Sequence, residues 1–381
     1  MIEGLYLHIP FCARRCAYCD FNTYEGLEAL IPSYVAALSA DLARSALGDD
    51  GAALKSVFFG GGTPSLLPPE LVAELLLRVR QAFPRAQALE ASLEANPGAV
   101  EASSFKALRR AGINRLSLGV QASQDRALKA LGRIHDSAQA ERAVRLAQEA
   151  GFERLSVDLM FGLPGQSMQE WQQSLDWALG LGLSHISFYG LSVEPGTRFH
   201  ALQAQGRLEL PEEGLQADMY LAGVARLAAA GLARYEISNF AKSGQACQHN
   251  RLYWLNRDTL GLGAGAWSFL KGERFGRTRD PKAYVQELAK GPASRQECQR
   301  LKGLASRGEA AYLRLRLAEG VDLAGWEQEF QRSWDSDFNG QTSALLAKGL
   351  LQRQEARLFI PDQALPLANE VFREFVISSE M

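Results

Sequence analysis

Short runs of β-branched, aromatic and aliphatic residues alternate along the first half of the chain with longer stretches whose apolar residues recur every three or four positions. The runs at 5–9, 56–59, 89–93, 115–120, 155–160 and 186–189 predict strands. The stretches at 31–47, 69–83, 104–111, 137–150 and 168–181 predict amphipathic helices, several of which stop at a glycine. Ala111-Gly112 and Ala150-Gly151 each precede a strand, as expected where a helix ends and the chain turns back into a sheet. Strands separated by helices specify an α/β protein with a parallel sheet, here a TIM-like barrel core over residues 1–210.

Beyond about Pro195 the rhythm breaks. A segment rich in glycine and aromatics, 211–294, reads as a connection, and 295–381 reads as a small mixed or helical C-terminal domain with a hairpin near 349–360. The net charge of −2 and the lack of a long Lys/Arg block argue against a nucleic-acid partner. No stretch approaches about 18 consecutive apolar residues, and residues 1–5 form neither a basic leader nor an apolar targeting segment, so no transmembrane segment and a soluble, cytoplasmic protein are expected. Of the 5 cysteines, Cys12, Cys16 and Cys19 lie close together, unlike a disulfide framework spread through a small secreted chain.

In a parallel barrel the active site forms where the strands end at their C-termini. Those ends carry unusual residues: Cys12, then Gly60-Gly61-Gly62-Thr63-Pro64, Glu94-Ala95-Asn96-Pro97, Gln121, Asp158 and Ser192-Val193-Glu194. The spacing Cys12-x3-Cys16-x2-Cys19 places three thiolates on one loop, which suits three irons of a [4Fe-4S] cubane and leaves the fourth iron open. An open iron can chelate S-adenosylmethionine (SAM), and an electron from the cluster into the sulfonium releases a 5′-deoxyadenosyl radical. A structural zinc site borrowing Cys247 or His249, or a thioredoxin-like pair at Cys16 and Cys19, accounts for the same cysteines.

Three glycines directly after a buried strand let backbone N–H groups approach a ligand, and Thr63 adds a hydroxyl; the alternative is a merely tight connection. No lysine follows to make a P-loop. Glu94, Gln121, Arg133 and Asp158 are polar groups at the ends of apolar strands or just beyond. A ribose diol suits a carboxylate and the SAM carboxylate suits a guanidinium or amide, although a purely structural network closing the barrel mouth uses the same groups.

These residues, with His8-Ile9-Pro10-Phe11-Cys12, Cys19-Asp20-Phe21, Asn114 to Gln121, Leu131-Gly132-Arg133-x-His135 and Asp158 to Gln166, resemble the oxygen-independent coproporphyrinogen oxidase family. The resemblance runs collinearly from Tyr6 to about Trp254, with a weaker echo at 367–372. It implies a partial (β/α)6 radical SAM barrel, with Tyr6, Gly61, Gly62, Thr63, Glu94, Gln121, Arg133 and Asp158 contacting SAM and Tyr18 within the cluster loop. Three features are similar to the heme-chaperone branch rather than the decarboxylating oxidases. Phe21 stands where the oxidases carry a fourth cysteine, only eleven residues precede Cys12, and His249-Asn250-x-x-Tyr253-Trp254 matches a motif of that branch.

Heme as a further cofactor, and delivery to recipient hemoproteins such as respiratory cytochromes with possible peripheral membrane contact, are implied by that branch. His249 beside Cys247, Tyr253 and Trp254 is the candidate heme contact, against the alternative of a histidine closing a loop. Trp267 stands where members of the branch commonly have a histidine. Rival expectations are coproporphyrinogen decarboxylation, a radical SAM enzyme acting on another substrate, and a cluster-bearing protein that only binds SAM.

Overall fold

Leu5, Leu7 and Ile9 are fully buried, and the residues between them, Tyr6 and His8, face the other way. The same alternation runs through the next five strands and separates an apolar outer face, packed under helices, from an inner face rich in polar side chains. In the computed structural model, which describes residues 1–49, 51–99 and 101–377, the strands are β1 (Gly4–Ile9), β2 (Ser56–Gly61), β3 (Glu90–Ala95), β4 (Arg115–Gln121), β5 (Arg154–Phe161) and β6 (His185–Gly190). They pair in that order and all in parallel.

The crossovers are α1 (Ile31–Ser45), α2 (Pro69–Ala82), α3 (Ala102–Ala111), α4 (Asp125–Leu131), α5 (Ser137–Glu149) and α6 (Met168–Gly180). Gly112 and Gly151 adopt positive φ of 113° and 86° where α3 and α5 give way to the sheet, a conformation glycine takes without strain. Capping boxes at Asp136 with Gln139 and at Ser167 with Glu170 fix the starts of α5 and α6.

Segment 211–294 is more than a connection, because its strands extend the same sheet at both edges. After α7 (Arg198–Ala204) and α8 (Glu213–Ala229), β7 (Ala233–Glu236) and β8 (Asn239–Ala241) follow β6, with β8 antiparallel to it. Then α9 (Gln248–Trp254) leads to β9 (Thr259–Leu262), which pairs parallel to β1 on the opposite side of the barrel. The sheet continues through β10 (Trp267–Leu270) and β11 (Glu273–Gly276) to β12 (Gln296–Arg300).

Helix α9 lies under the barrel, at the N-terminal ends of the strands. Glu90, at the start of β3, accepts from the backbone N–H of Gln248 at 2.9 Å and from the thiol of Cys247 at 3.5 Å. The same carboxylate pairs with Arg115 at 3.0 Å, both side chains being buried. The C-terminal part packs helices Gly303–Leu315, Leu323–Phe330 and Trp334–Ala347 around Trp326, Trp334 and Phe338, against a small sheet that includes the hairpin Gln352–Gln354 with Arg357–Phe359. No helix among the described residues is long and apolar enough to cross a membrane.

Candidate functional site: a three-cysteine cavity at the barrel mouth

The loop leaving β1 carries the three cysteines and is fastened from several sides. The Cys12 N–H donates to the Tyr24 carbonyl at 2.9 Å, and the Tyr24 N–H returns to Pro10 at 2.8 Å. The Ala17 N–H donates to Leu131 O at 2.9 Å, tying the loop to the end of α4. Cys12, Cys16 and Cys19 line one cavity of about 540 Å³. Thr63 Oγ1 lies 3.6 Å from Cys12 Sγ, and Arg133 Nη1 donates to Cys16 Sγ at 3.2 Å. Among the described residues no three His, Cys, Asp or Glu side chains gather around a single metal-ion position. Cys247 and His249 sit beneath the barrel, away from these thiols.

The glycine run has a different use from the one its sequence suggests. The Gly62 N–H donates to Ile9 O at 2.8 Å and the Thr63 N–H to Phe11 O at 2.8 Å, so both hold the cysteine loop. The Gly61 N–H donates to Glu94 Oε2 at 3.1 Å. A Cβ on Gly62 would meet the carbonyl oxygens of Phe11 at 2.5 Å and Ile9 at 2.9 Å, and one on Gly61 would strike the His8 ring. Glycine is needed here for close backbone packing against the loop, and its amides serve the protein itself.

Glu94, Gln121, Arg133, Asp158, Tyr18, Gly61, Gly62 and Thr63 line the same cavity as the cysteines. Asp158 accepts from Ser117 Oγ at 3.0 Å. Burial raises its carboxyl to about 6, against the lowering effect of the Ser187 and Ser117 hydroxyls. Glu94 is pushed up to about 7, first by burial and then by neighbouring Asp158. Gln121 has a positive φ of 77° at an irregularity of register in β4, which turns the chain at the rim.

Two expected residues lie elsewhere. Tyr6 faces the barrel interior below the mouth, where it lines two adjoining cavities. His249 is 2% exposed and both ring nitrogens are engaged, Nδ1 with Ser56 Oγ at 2.8 Å and Nε2 with Tyr253 Oη at 3.0 Å. Neither nitrogen is free for heme iron while the ring stays there. Sequence reasoning missed Tyr189 and the inward serines Ser92, Ser117, Ser156 and Ser187. Their signal was the two-residue period, visible in Ser156-Asp158-Met160 and His185-Ser187-Tyr189.

A barrel open at one side, with three cysteines on the loop after its first strand, defines the radical SAM class. Residues 6–178 match the profile described as the Radical SAM superfamily, and residues 308–367 match the HemN C-terminal domain. The heme chaperone HemW of Bacillus subtilis (strain 168) is 36% identical over 98% of this chain and 99% of its own length. HemW of Escherichia coli (strain K12) is 42% identical over 74% of this chain and 75% of its own. The chain belongs to the heme chaperone HemW family. In fold it is similar to the solved coproporphyrinogen III oxidase HemN of Escherichia coli, with a TM-score of 0.83 over 98% of this chain and 90% of that one, at 23% identity.

Radical SAM membership implies a [4Fe-4S] cluster and SAM. The cavity suits them. It collects three thiols, the carboxyls of Asp20, Glu94, Asp158 and Glu194 and three arginines, and Arg133 Nε is buried there without a hydrogen-bond partner.

Proposed function

We propose that this chain binds heme and passes it to recipient hemoproteins such as respiratory cytochromes, from the cytoplasm and through peripheral contact with the membrane. Cys12, Cys16 and Cys19 are assigned to the cluster. Arg133 and Gln121 are assigned to the SAM carboxylate, Glu94 and Asp158 to hydroxyl or amino groups of SAM. Tyr18, Gly61, Gly62 and Thr63 shape the walls, and Tyr6 lines the chamber below them. When bound, the cluster supplies an electron to the neighbouring sulfonium. The residues around it bind, orient and exclude water.

The observation that carries the heme reading is a second groove, of about 460 Å³, adjoining the cysteine cavity. Its walls include Phe21, 63% exposed, and Trp267, 44% exposed. Two large aromatics left in solvent beside one groove fit a ligand with a broad apolar face, and a porphyrin has one. Arg279 lines the same groove, is exposed and complements a propionate, while Glu297 on the groove wall would repel one that entered from its side. Trp267 offers a stacking surface in place of an imidazole.

Heme titration of the anaerobically reconstituted protein, followed at the Soret band, tests this reading. Phe21→Ala with Trp267→Ala is expected to raise the heme Kd about tenfold, with iron content unchanged. Parent-like affinity in the double variant would place heme elsewhere.

A further inference from the structure

The His249 side chain lies away from the mouth of the barrel, yet it is held by two hydrogen bonds and stacks on two rings. We infer that His249 is a positioning residue for the SAM site, acting from the floor of the barrel through Tyr6 and Tyr253, and that it is not an axial ligand of heme. The inference rests on SAM occupying the cysteine-lined cavity.

A closed α/β barrel is normally filled by layers of bulky side chains. Here four of the interior positions are serines. Ser92, Ser117, Ser156 and Ser187 line a chamber of about 270 Å³ that shares Glu94, Asp158 and Tyr189 with the cavity above it. The chamber would open downward without α9. Helix α9 closes it, with His249, Asn250 and Tyr253 on the inner wall.

The floor is joined to the cluster loop by a continuous path. The His249 ring stacks on Phe58 at 5.1 Å and on Tyr6 at 6.3 Å between centroids. Tyr6 Oη lies 3.0 Å from His8 Nδ1, and His8 Nε2 lies 2.9 Å from the Asn22 carbonyl. A carbonyl only accepts, so His8 carries its proton on Nε2, its Nδ1 is an acceptor, and the Tyr6 hydroxyl donates. Asn22 follows the third cysteine in the loop, and its amide donates to Ala264 O and Arg279 O, both at 2.9 Å. Displacing the floor therefore moves Tyr6, and with it the wall on which Glu94 and the loop rest.

Tyr253 is the second arm. Its hydroxyl bonds His249, and its ring lines both the lower chamber and the aromatic groove, as Glu94 does. Burial lowers the His249 ring to about 3, which keeps it neutral and suited to its two hydroxyl partners. The charged groups near this segment are Glu94 above it, Glu90 with Arg115 beside it, Glu236 bonded to Asn250, Arg251 paired with Glu319, and Arg316 over the Trp254 ring.

Three variants in the reconstituted full chain test the inference: His249→Ala, His249→Phe and Tyr253→Phe. The phenylalanine at 249 keeps a ring for Tyr6 and Phe58 to stack on and deletes both hydrogen bonds, so it carries the test should the alanine variant fail to fold. SAM affinity is read by equilibrium dialysis, heme affinity at the Soret band, and the cluster by iron content and by the change SAM causes in its EPR spectrum. His249→Ala is expected to weaken SAM about tenfold, and His249→Phe and Tyr253→Phe about threefold each. Iron content stays at the parent value in all three, heme Kd stays at the parent value in the two His249 variants, and the SAM-dependent EPR change is altered. Parent-like SAM affinity in all folded variants would overturn the inference, as would loss of the Soret band with SAM binding intact. Failure of the parent chain itself to bind SAM would remove the cofactor assignment beneath it.

Discussion

Arg133 reaches Cys16, its Nη1 3.2 Å from the sulfur, from the turn that follows α4. Its other terminal nitrogen donates to the Gly119 carbonyl of β4, so one guanidinium joins the cluster loop to the fourth strand. This makes Arg133 both a clamp on the loop and a cation at the site assigned to the SAM carboxylate.

Removing that clamp separates its two roles. Arg133→Ala should raise the SAM Kd by about tenfold to a hundredfold, the range for a hydrogen bond to a charged group, while Arg133→Lys recovers part of the loss. Equilibrium dialysis and iron analysis on the same samples check it. Unchanged SAM affinity would confine Arg133 to holding the loop.

Gly62 predicts a packing failure. Its missing Cβ faces backbone carbonyls of Phe11 and Ile9, which do not swing aside as a flexible side chain would. Gly62→Ala should destabilise the fold by about 1–3 kcal/mol and reduce the iron taken up on reconstitution, because the displaced segment leads into Cys12. Thermal melts and iron content measure both effects. Full iron loading at parent Tm would show that the loop adjusts.

Glu94 gives the pH dependence its sign. Its carboxyl sits near 7 in the fold against an ordinary value of 4.5, so the folded state holds the proton more tightly than the unfolded state. Glu94 therefore favours the fold when protonated. That contribution falls as pH rises from 4.5 and is gone above about 7. Asp158, at about 6, acts in the same direction over a lower window. Without SAM, Glu94→Gln should raise Tm at about pH 8 and change it little at about pH 5, with ionic strength held constant. An equal shift at both pH values would contradict the burial argument. Since a ribose diol can donate to both oxygens only of the carboxylate form, and protonation turns one of them into a donor, SAM affinity of the parent should weaken as pH falls below about 7.

Much of the barrel was legible because each of β1 to β6 is long enough to carry the two-residue alternation and each of β1 to β5 is followed by an amphipathic helix. The cysteine loop was legible for a different reason, since three thiols at that spacing have few uses. Short elements escaped. β8 has only three residues and β9 four, too few for a period, and their partners β6 and β1 are distant in sequence. The roles of the glycines and His249 were ambiguous for a physical reason: a close backbone approach and a ligand cradle both require glycine, and a buried structural histidine has the same neighbours as a ligating one. Only hydrogen-bond partners separate the two.

On the function proposed above, this chain carries heme and leaves porphyrinogens unreacted. The most direct measurement incubates the anaerobically reconstituted, heme-loaded protein with an apo-hemoprotein acceptor, and in parallel supplies the heme-free protein with SAM, reductant and coproporphyrinogen III. The Soret band is expected to move to the acceptor while the coproporphyrinogen remains intact. Decarboxylated porphyrinogen in the second reaction, with no heme transferred in the first, would contradict it.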